Sequence, residues 1–158
     1  MTEKTIADPL RPHEKAVKTP EGFDAGLWFI GRIHTPWDNR SDCPRRGDAE
    51  NGPDCRIMLD ENWHEALTGI DAHEHIQVLY WMHLSRRDAV RQNPGFRDSS
   101  TGTFALRSPL RPNPIASSVV RLLRVSGPEL AVRGLDCING TPLLDLKPVF
   151  GIPAKGAV

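Results

Sequence analysis

Phe104-Ala-Leu-Arg-Ser-Pro-Leu-Arg-Pro-Asn-Pro-Ile-Ala-Ser-Ser-Val-Val-Arg121 is a proline-stiffened arginine loop that runs straight into an apolar, β-branched strand. Pro109, Pro112 and Pro114 each fix φ and remove a backbone donor, so Ser108 to Pro114 is neither helix nor central strand. An ordered, extended loop is expected. The prolines lower the entropy of the unfolded chain, so the loop holds Arg107, Arg111 and Asn113 in fixed directions at reduced cost. A rigid loop carrying Arg and Asn suits recognition of a carboxylate, a phosphate or a nucleobase edge.

The strands that follow set the fold class. Ser117 to Val125, Glu129 to Arg133 and Leu143 to Leu146 read as strands, with turn chemistry at Gly127-Pro128 and Asn139-Gly140. No βαβ alternation is visible, and 14 prolines with 13 glycines favour short strands and many turns. The reading is mainly β: a small antiparallel β-barrel, built as a meander, with one or two short helices and long loops.

Upstream, residues 1–26 are polar, carry Pro9, Pro12 and Pro20, and show no apolar period. They read as an irregular N-terminal extension, with Arg11, His13, Lys15 and Lys18 as an uninvolved tail. Residues 27–158 are then the barrel domain. Leu27 to His34 is aromatic and β-branched and is stopped by Thr35-Pro36, as a first strand should be. Trp37 to Pro53 is a loop of functional length, and Cys55 to Leu59 a second strand. Asp60 is placed to cap a short helix through Leu67, with Trp63, Ala66 and Leu67 facing inward and Gly69 ending it. His75 to His83 is too apolar for an exposed edge and reads as a central strand, and residues 84–103 as another long loop.

At 158 residues the chain is most simply one domain, and Lys plus Arg equals Asp plus Glu, for a formal net charge of zero. Charge as a whole gives no argument for nucleic acid, although local arginine clusters can make one face positive. Three cysteines, Cys43, Cys55 and Cys137, are an odd count without close pairing and do not read as a disulfide framework. No apolar run reaches the ~20 residues that span a membrane and no apolar signal segment opens the chain, so a cytoplasmic location is expected. His73 and His75 with His83, Cys43 or Cys55 lack any metal-ligand spacing, and no metal is expected.

Arg107 to Ile115, with Gly134-Leu-Asp136 and Asn139-Gly-Thr-Pro-Leu-Leu-Asp-Leu-Lys-Pro148, resembles the O-type tRNA methyltransferases. The resemblance runs from about Leu27 to Pro148, opens on Ile30 to Pro36, and includes Pro44-Arg45 in a Pro-Arg-Gln motif whose Gln is Arg46 here. It implies a β-barrel homodimer that uses S-adenosyl-L-methionine to methylate threonylcarbamoyl-adenosine in the tRNA anticodon loop. Implied cofactor residues are Pro44, Arg45 and Arg46; Met82 and His83; Arg107; Ser117; and Asn139, Gly140, Thr141 and Pro142. The chemistry suits such a set, since a methionine carboxylate wants guanidinium, adenine wants backbone hydrogen bonds between apolar walls, and a sulfonium wants oxygen or π-electron neighbours. No dinucleotide-type glycine loop or phosphate loop offers another way to hold an adenosyl group.

The sequence leaves the catalytic base open among Asp136, Asp145 and His83. It also departs from the family pattern. Asn139 stands for an aspartate, Ala116-Ser117 for Gly-Leu, Val149 for an aromatic, and Gln77 differs. Other readings follow from those departures: an S-adenosylmethionine-binding module, a methyltransferase with a different acceptor, or an interaction protein using the Pro-x-x-Pro of residues 109–112. Arg45, Arg46, Arg86, Arg87, Arg91 and Arg97 are the expected RNA-facing cations.

Overall fold

The structure is a computed structural model and describes residues 8–151. The outermost seven residues of the expected extension and of the expected barrel domain lie outside the described residues. Among the described residues nine strands follow in chain order: β1 (Lys15–Ala16), β2 (Gly31–His34), β3 (Asp54–Leu59), β4 (His75–Trp81), β5 (Ala89–Gln92), β6 (Thr101–Gly102), β7 (Ile115–Ser126), β8 (Glu129–Arg133) and β9 (Thr141–Pro148). The described residues group into two compact units, one within Met1–Leu27 and Trp81–Ala116, the other within Trp28–Tyr80 and Ser117–Val158.

Six strands close an antiparallel barrel in the order β2-β3-β8-β7-β4-β9. Its interior follows the period-two rule of a pleated strand. Cys55, Ile57 and Leu59 on β3, Ile76, Val78 and Tyr80 on β4, and Leu130 and Val132 on β8 are all buried, while their neighbours in sequence are partly or fully exposed. Ile33, Val120 and Leu143 join them in the core, with Leu67, Leu135 and Cys137. Gly127, at φ 58°, makes the β7–β8 turn, where a residue with a Cβ would be strained.

The order corrects the expected meander. β8 and β9 follow one another in the chain but are not neighbours, because β9 pairs with β2 on one side and β4 on the other. Asn139-Gly140 is therefore a bend in a crossing connection, with Gly140 at φ 83°, and not a hairpin turn. Periodicity locates a strand but does not identify its partner.

Other expectations shift locally. The first ladder begins at Gly31, and Leu27 and Trp28 ahead of it are exposed. Trp28 instead lies against Trp63, with ring centroids 6.0 Å apart. The segment after Asp60 is a 3₁₀ helix, Glu61–Leu67, that buries Leu67 but leaves Ala66 exposed; Asp60 makes no side-chain cap bond, and Gly69 at φ 87° follows it. β7 starts two residues early, at Ile115, and β9 runs from Thr141 to Pro148.

The expected loop of residues 84–103 supplies β5 and β6 of a small sheet ordered β1-β5-β6. Its β1, Lys15–Ala16, comes from the expected irregular extension, so that part of the extension is not an uninvolved tail. Buried polar side chains tie the sheet together. Gln92 Nε2 donates to Thr103 Oγ1 at 2.9 Å and to the Leu110 carbonyl at 2.7 Å. Asn93 Nδ2 donates to the carbonyls of Pro12 and Arg97, and the Asn93 amide donates to Glu14 at 2.8 Å. A polar sequence thus folds by pairing polar groups with each other, which hydrophobic periodicity does not register.

β2 tests how tightly the barrel is closed. A Cβ added at buried Gly31 would overlap the Met58 carbonyl, which belongs to the neighbouring strand and has little room to retreat. Gly31→Ala is expected to lower stability by about 1–3 kcal/mol, as overpacking does, and denaturant unfolding monitored by tryptophan fluorescence measures it.

Candidate cofactor and catalytic site

Within the barrel unit two loops are fastened to each other. Thr35 Oγ1 donates to the Cys137 carbonyl at 2.8 Å, the Asn139 amide to the Trp37 carbonyl at 2.6 Å, and the Gly140 amide to the Ile33 carbonyl at 2.8 Å. Asn139 Nδ2 then donates to Asp38 Oδ1 at 3.1 Å. Thr35 and Pro36 end β2, and Asn139 to Thr141 lead into β9, so barrel closure positions both loops. Thr141 and Pro142 are buried; the Thr141 hydroxyl donates to the Ile138 carbonyl at 2.7 Å, and Pro142 stands opposite Arg32 in the ladder. Pro44, Arg45 and Arg46 are exposed after a short 3₁₀ turn, Arg40–Asp42, and neither guanidinium has a partner among the described residues.

The three candidate bases are in different surroundings. Asp136 Oδ1 accepts a 2.6 Å hydrogen bond from the Tyr80 hydroxyl, which also lies 2.8 Å from Ser118 Oγ. Tyr80 is 2% exposed, and burial followed by the charge of Asp136 drives its phenol far above the usual range. It therefore stays a donor and fixes one carboxylate oxygen of Asp136. No described residue donates to the other oxygen. Asp145 instead pairs with Lys147 at 2.7 Å and accepts from the Leu146 amide at 2.9 Å. His83 belongs to the other unit, where its amide donates to the Trp81 carbonyl at 2.9 Å.

Sequence reading missed Tyr80 and Ser118, although Tyr80 is the single tyrosine of the chain and lies on a strand recognised as central. A lone tyrosine among alternating apolar residues carried that signal. Cys43 is raised by burial first and then by the nearby carboxylates of Asp136 and Asp42. Burial pushes the Cys55 thiol up to about 11 and Cys137 up to about 12. None is a thiolate nucleophile near neutral pH. Among the described residues no three His, Cys, Asp or Glu side chains form a cluster that could hold a metal ion.

In the other unit the proline loop is ordered by one arginine of its own and one from outside it. Arg111 Nη1 donates to the carbonyls of Leu106 and Ser108, at 2.6 and 3.2 Å. Arg87 Nε donates to the Pro112 carbonyl at 2.6 Å and Nη2 to Asn113 Oδ1 at 3.0 Å. Arg107 is exposed, and the Met82 amide donates to the Pro114 carbonyl at 2.9 Å. Gln77 Nε2 donates to Ser117 Oγ at 2.8 Å within the barrel.

A closed six-stranded antiparallel barrel carrying a tyrosine-held carboxylate beside interlocked loops defines the structural class. Residues 32–152 match the tRNA-methyltransferase O N-terminal domain, and the chain belongs to that family. It is 51% identical over 139 residues to a probable S-adenosyl-L-methionine-binding protein, VirR, of Rhizobium radiobacter, covering 88% of this chain and 79% of that one. A human tRNA (adenine(37)-N6)-methyltransferase is 37% identical over 97 residues, 59% of this chain and 22% of its own length. The crystal structure of TrmO from Pseudomonas aeruginosa superposes with a TM-score of 0.68 at 29% identity, over 86% of this chain and 60% of that chain. This chain thus spans about three fifths of the solved protein and under a quarter of the human one.

The Tyr80 hydroxyl is testable directly. Its raised pKa means that the folded state keeps a proton that the unfolded state loses near pH 10, so stability should fall as pH rises above about 10. Because the chain has one tyrosine, tyrosinate absorbance reports Tyr80 alone. The signal should appear only as the protein unfolds, and Tyr80→Phe should remove this contribution to the alkaline loss of stability.

Proposed function

We propose that the chain is an S-adenosylmethionine-dependent methyltransferase that acts in the cytoplasm on the exocyclic nitrogen of threonylcarbamoyl-adenosine next to the tRNA anticodon. The observation that carries the reading is the Asp136 carboxylate, one oxygen of which accepts from the Tyr80 hydroxyl at 2.6 Å. The acceptor nitrogen of a ureido-adenosine is weakly nucleophilic and gains from a base that takes its proton. Asp136 is that base, ahead of Asp145, which is ion-paired with Lys147.

The donor set fits the cofactor. The guanidinia of Arg45 and Arg46 have no partner among the described residues and match a methionine carboxylate; Asp38, fixed by Asn139, matches ribose hydroxyls or an ammonium. Pro44, Met82, His83, Arg107, Ser117, Gly140, Thr141 and Pro142 are proposed as further cofactor contacts, each to be tested on its own. When bound, S-adenosylmethionine supplies a methyl group on a sulfonium centre. The residues of this chain orient the reactants and receive a proton at Asp136, and orientation is worth up to ~7–11 kcal/mol in favourable cases. The tRNA anticodon loop is the proposed partner, and a two-fold homodimer the proposed assembly.

A second reading is supported by the name of the relative at 51% identity, which states S-adenosyl-L-methionine binding alone. In that reading the barrel binds the cofactor without turnover.

Labelled methyl transfer to tRNA from cells that can and cannot make threonylcarbamoyl-adenosine separates these readings. Labelling of the first pool alone is expected, with Asp136→Asn lowering kcat about 10²–10⁴-fold and leaving calorimetric cofactor affinity near wild type. Equal labelling of both pools rejects the acceptor, and cofactor binding with no labelling favours the binding module. Arg107→Ala should weaken cofactor binding by about 1.5–3 kcal/mol without lowering the melting temperature. Light scattering should give the mass of two chains.

A further inference from the structure

The proline loop and its neighbours in the same unit build an arrangement that neither the cofactor nor the base requires. The Arg111 guanidinium lies 5.8 Å from the ring centre of Phe104, which is 79% exposed. The next residue, Pro112, accepts from Arg87, whose guanidinium lies 5.0 Å from the ring of Phe23 and 5.3 Å from the ring of Trp81. Phe23 is 82% exposed. Two guanidinia thus lie over aromatic rings, Arg111 over Phe104 and Arg87 over Phe23 and Trp81, and Arg87 is tied to the residue that follows Arg111.

Both arginines are ordered by neutral partners. Arg111 donates to two carbonyls, and Arg87 to one carbonyl and one amide oxygen. Neither pairs with a carboxylate among the described residues, so the positive charge is fixed in direction and left uncompensated there. Arg86, one residue away, differs: it pairs with Asp88 at 2.6 Å and holds that carboxyl below its usual range. Trp81 to Ala116 contains six arginines against the two aspartates Asp88 and Asp98, so the segment is basic within a chain of zero net charge.

Exposed aromatic faces beside unneutralised guanidinia match the chemistry of an unpaired RNA strand, whose bases stack on rings and whose phosphates meet the cations. We infer that Phe104, Arg111, Arg87 and Phe23 form a stacking platform for unpaired RNA bases, made of residues other than those proposed to hold the cofactor. The inference rests on the proposed tRNA-directed function only for the choice of probe. It revises the expected RNA-facing set at Arg86, whose charge is neutralised by Asp88.

Fluorescence anisotropy with a labelled anticodon stem-loop tests it. Wild type should bind with an affinity that falls as salt rises. Phe23→Ala and Phe104→Ala should each weaken binding by about fivefold to a hundredfold, the range of one lost base stack. Both rings are exposed, so the melting temperature should not move, and calorimetric titration with S-adenosylmethionine should match wild type. Wild-type affinity in both variants overturns the platform, and so does a lack of RNA binding by wild type at low salt. A fully paired duplex bound as tightly as the stem-loop, or an acidic peptide that competes equally well, also overturns it by showing that charge alone is read. Loss of cofactor binding in wild type with RNA binding intact would reject the methyltransferase reading and leave the platform standing.

Discussion

Leu143 is hydrogen-bonded into the sheet on both sides, opposite Gly31 on β2 and Tyr80 on β4, and the barrel exists because this one strand closes it. Closure removes the free edges that an open sheet would present. It also fixes directions. The ladder between β4 and β9 shifts register between Leu79 and Tyr80, and irregularities of this kind re-aim side chains. Tyr80 remains on the buried face and its hydroxyl reaches Asp136 and Ser118. The bend before β9 is fixed in the same way, through the Gly140 amide on the Ile33 carbonyl. Site geometry is thus a consequence of where β9 inserts.

Most of the barrel was legible because its strands obey a simple rule. β3, β4 and β8 alternate buried and solvent-facing residues, and their apolar, β-branched composition announces this. β9 was located but its neighbours were not, since pairing between distant strands leaves no trace in a local pattern. The β1-β5-β6 sheet was missed for a different reason: Gln92, Asn93 and Thr103 are buried polar residues, and polar runs are read as loops by default. The proline loop was legible as rigid, but the agents of its rigidity were only half visible. Arg111 bonds within the loop, whereas Arg87 reaches it from 25 residues away.

The two units use arginine differently. In the barrel unit, Arg133 pairs with Asp54 at 2.6 Å, Arg121 lies by Glu50 and Glu74, and Arg56 and Arg124 share Glu129. These are mostly exposed pairs, which contribute little to stability and cancel charge locally. In the other unit, Arg86 pairs with Asp88, but Arg11 donates to the carbonyls of Asn93 and Pro94, Arg91 to Ser100, Arg87 to Pro112 and Asn113, and Arg111 to Leu106 and Ser108. A guanidinium bonded to carbonyls organises the backbone while keeping its charge. A zero net charge therefore describes neither unit.

The same attention to partners accounts for three of the departures from the family pattern. An aspartate at position 139 would set a second carboxylate against Asp38, where the amide of Asn139 now donates at 3.1 Å. The loop thus keeps an oriented carboxylate, carried by the residue across from the substitution. Ser117 and Gln77 are two further departures, and they bond to each other at 2.8 Å between β7 and β4. A leucine at 117 would leave the Gln77 amide without that acceptor in a part-buried position, at a cost of about 1–3 kcal/mol. Read singly along the chain, these substitutions look like erosion of a motif. Read as pairs across the barrel, the changes at 139, 117 and 77 each answer a neighbour, whereas Ala116 and Val149 have no structural explanation.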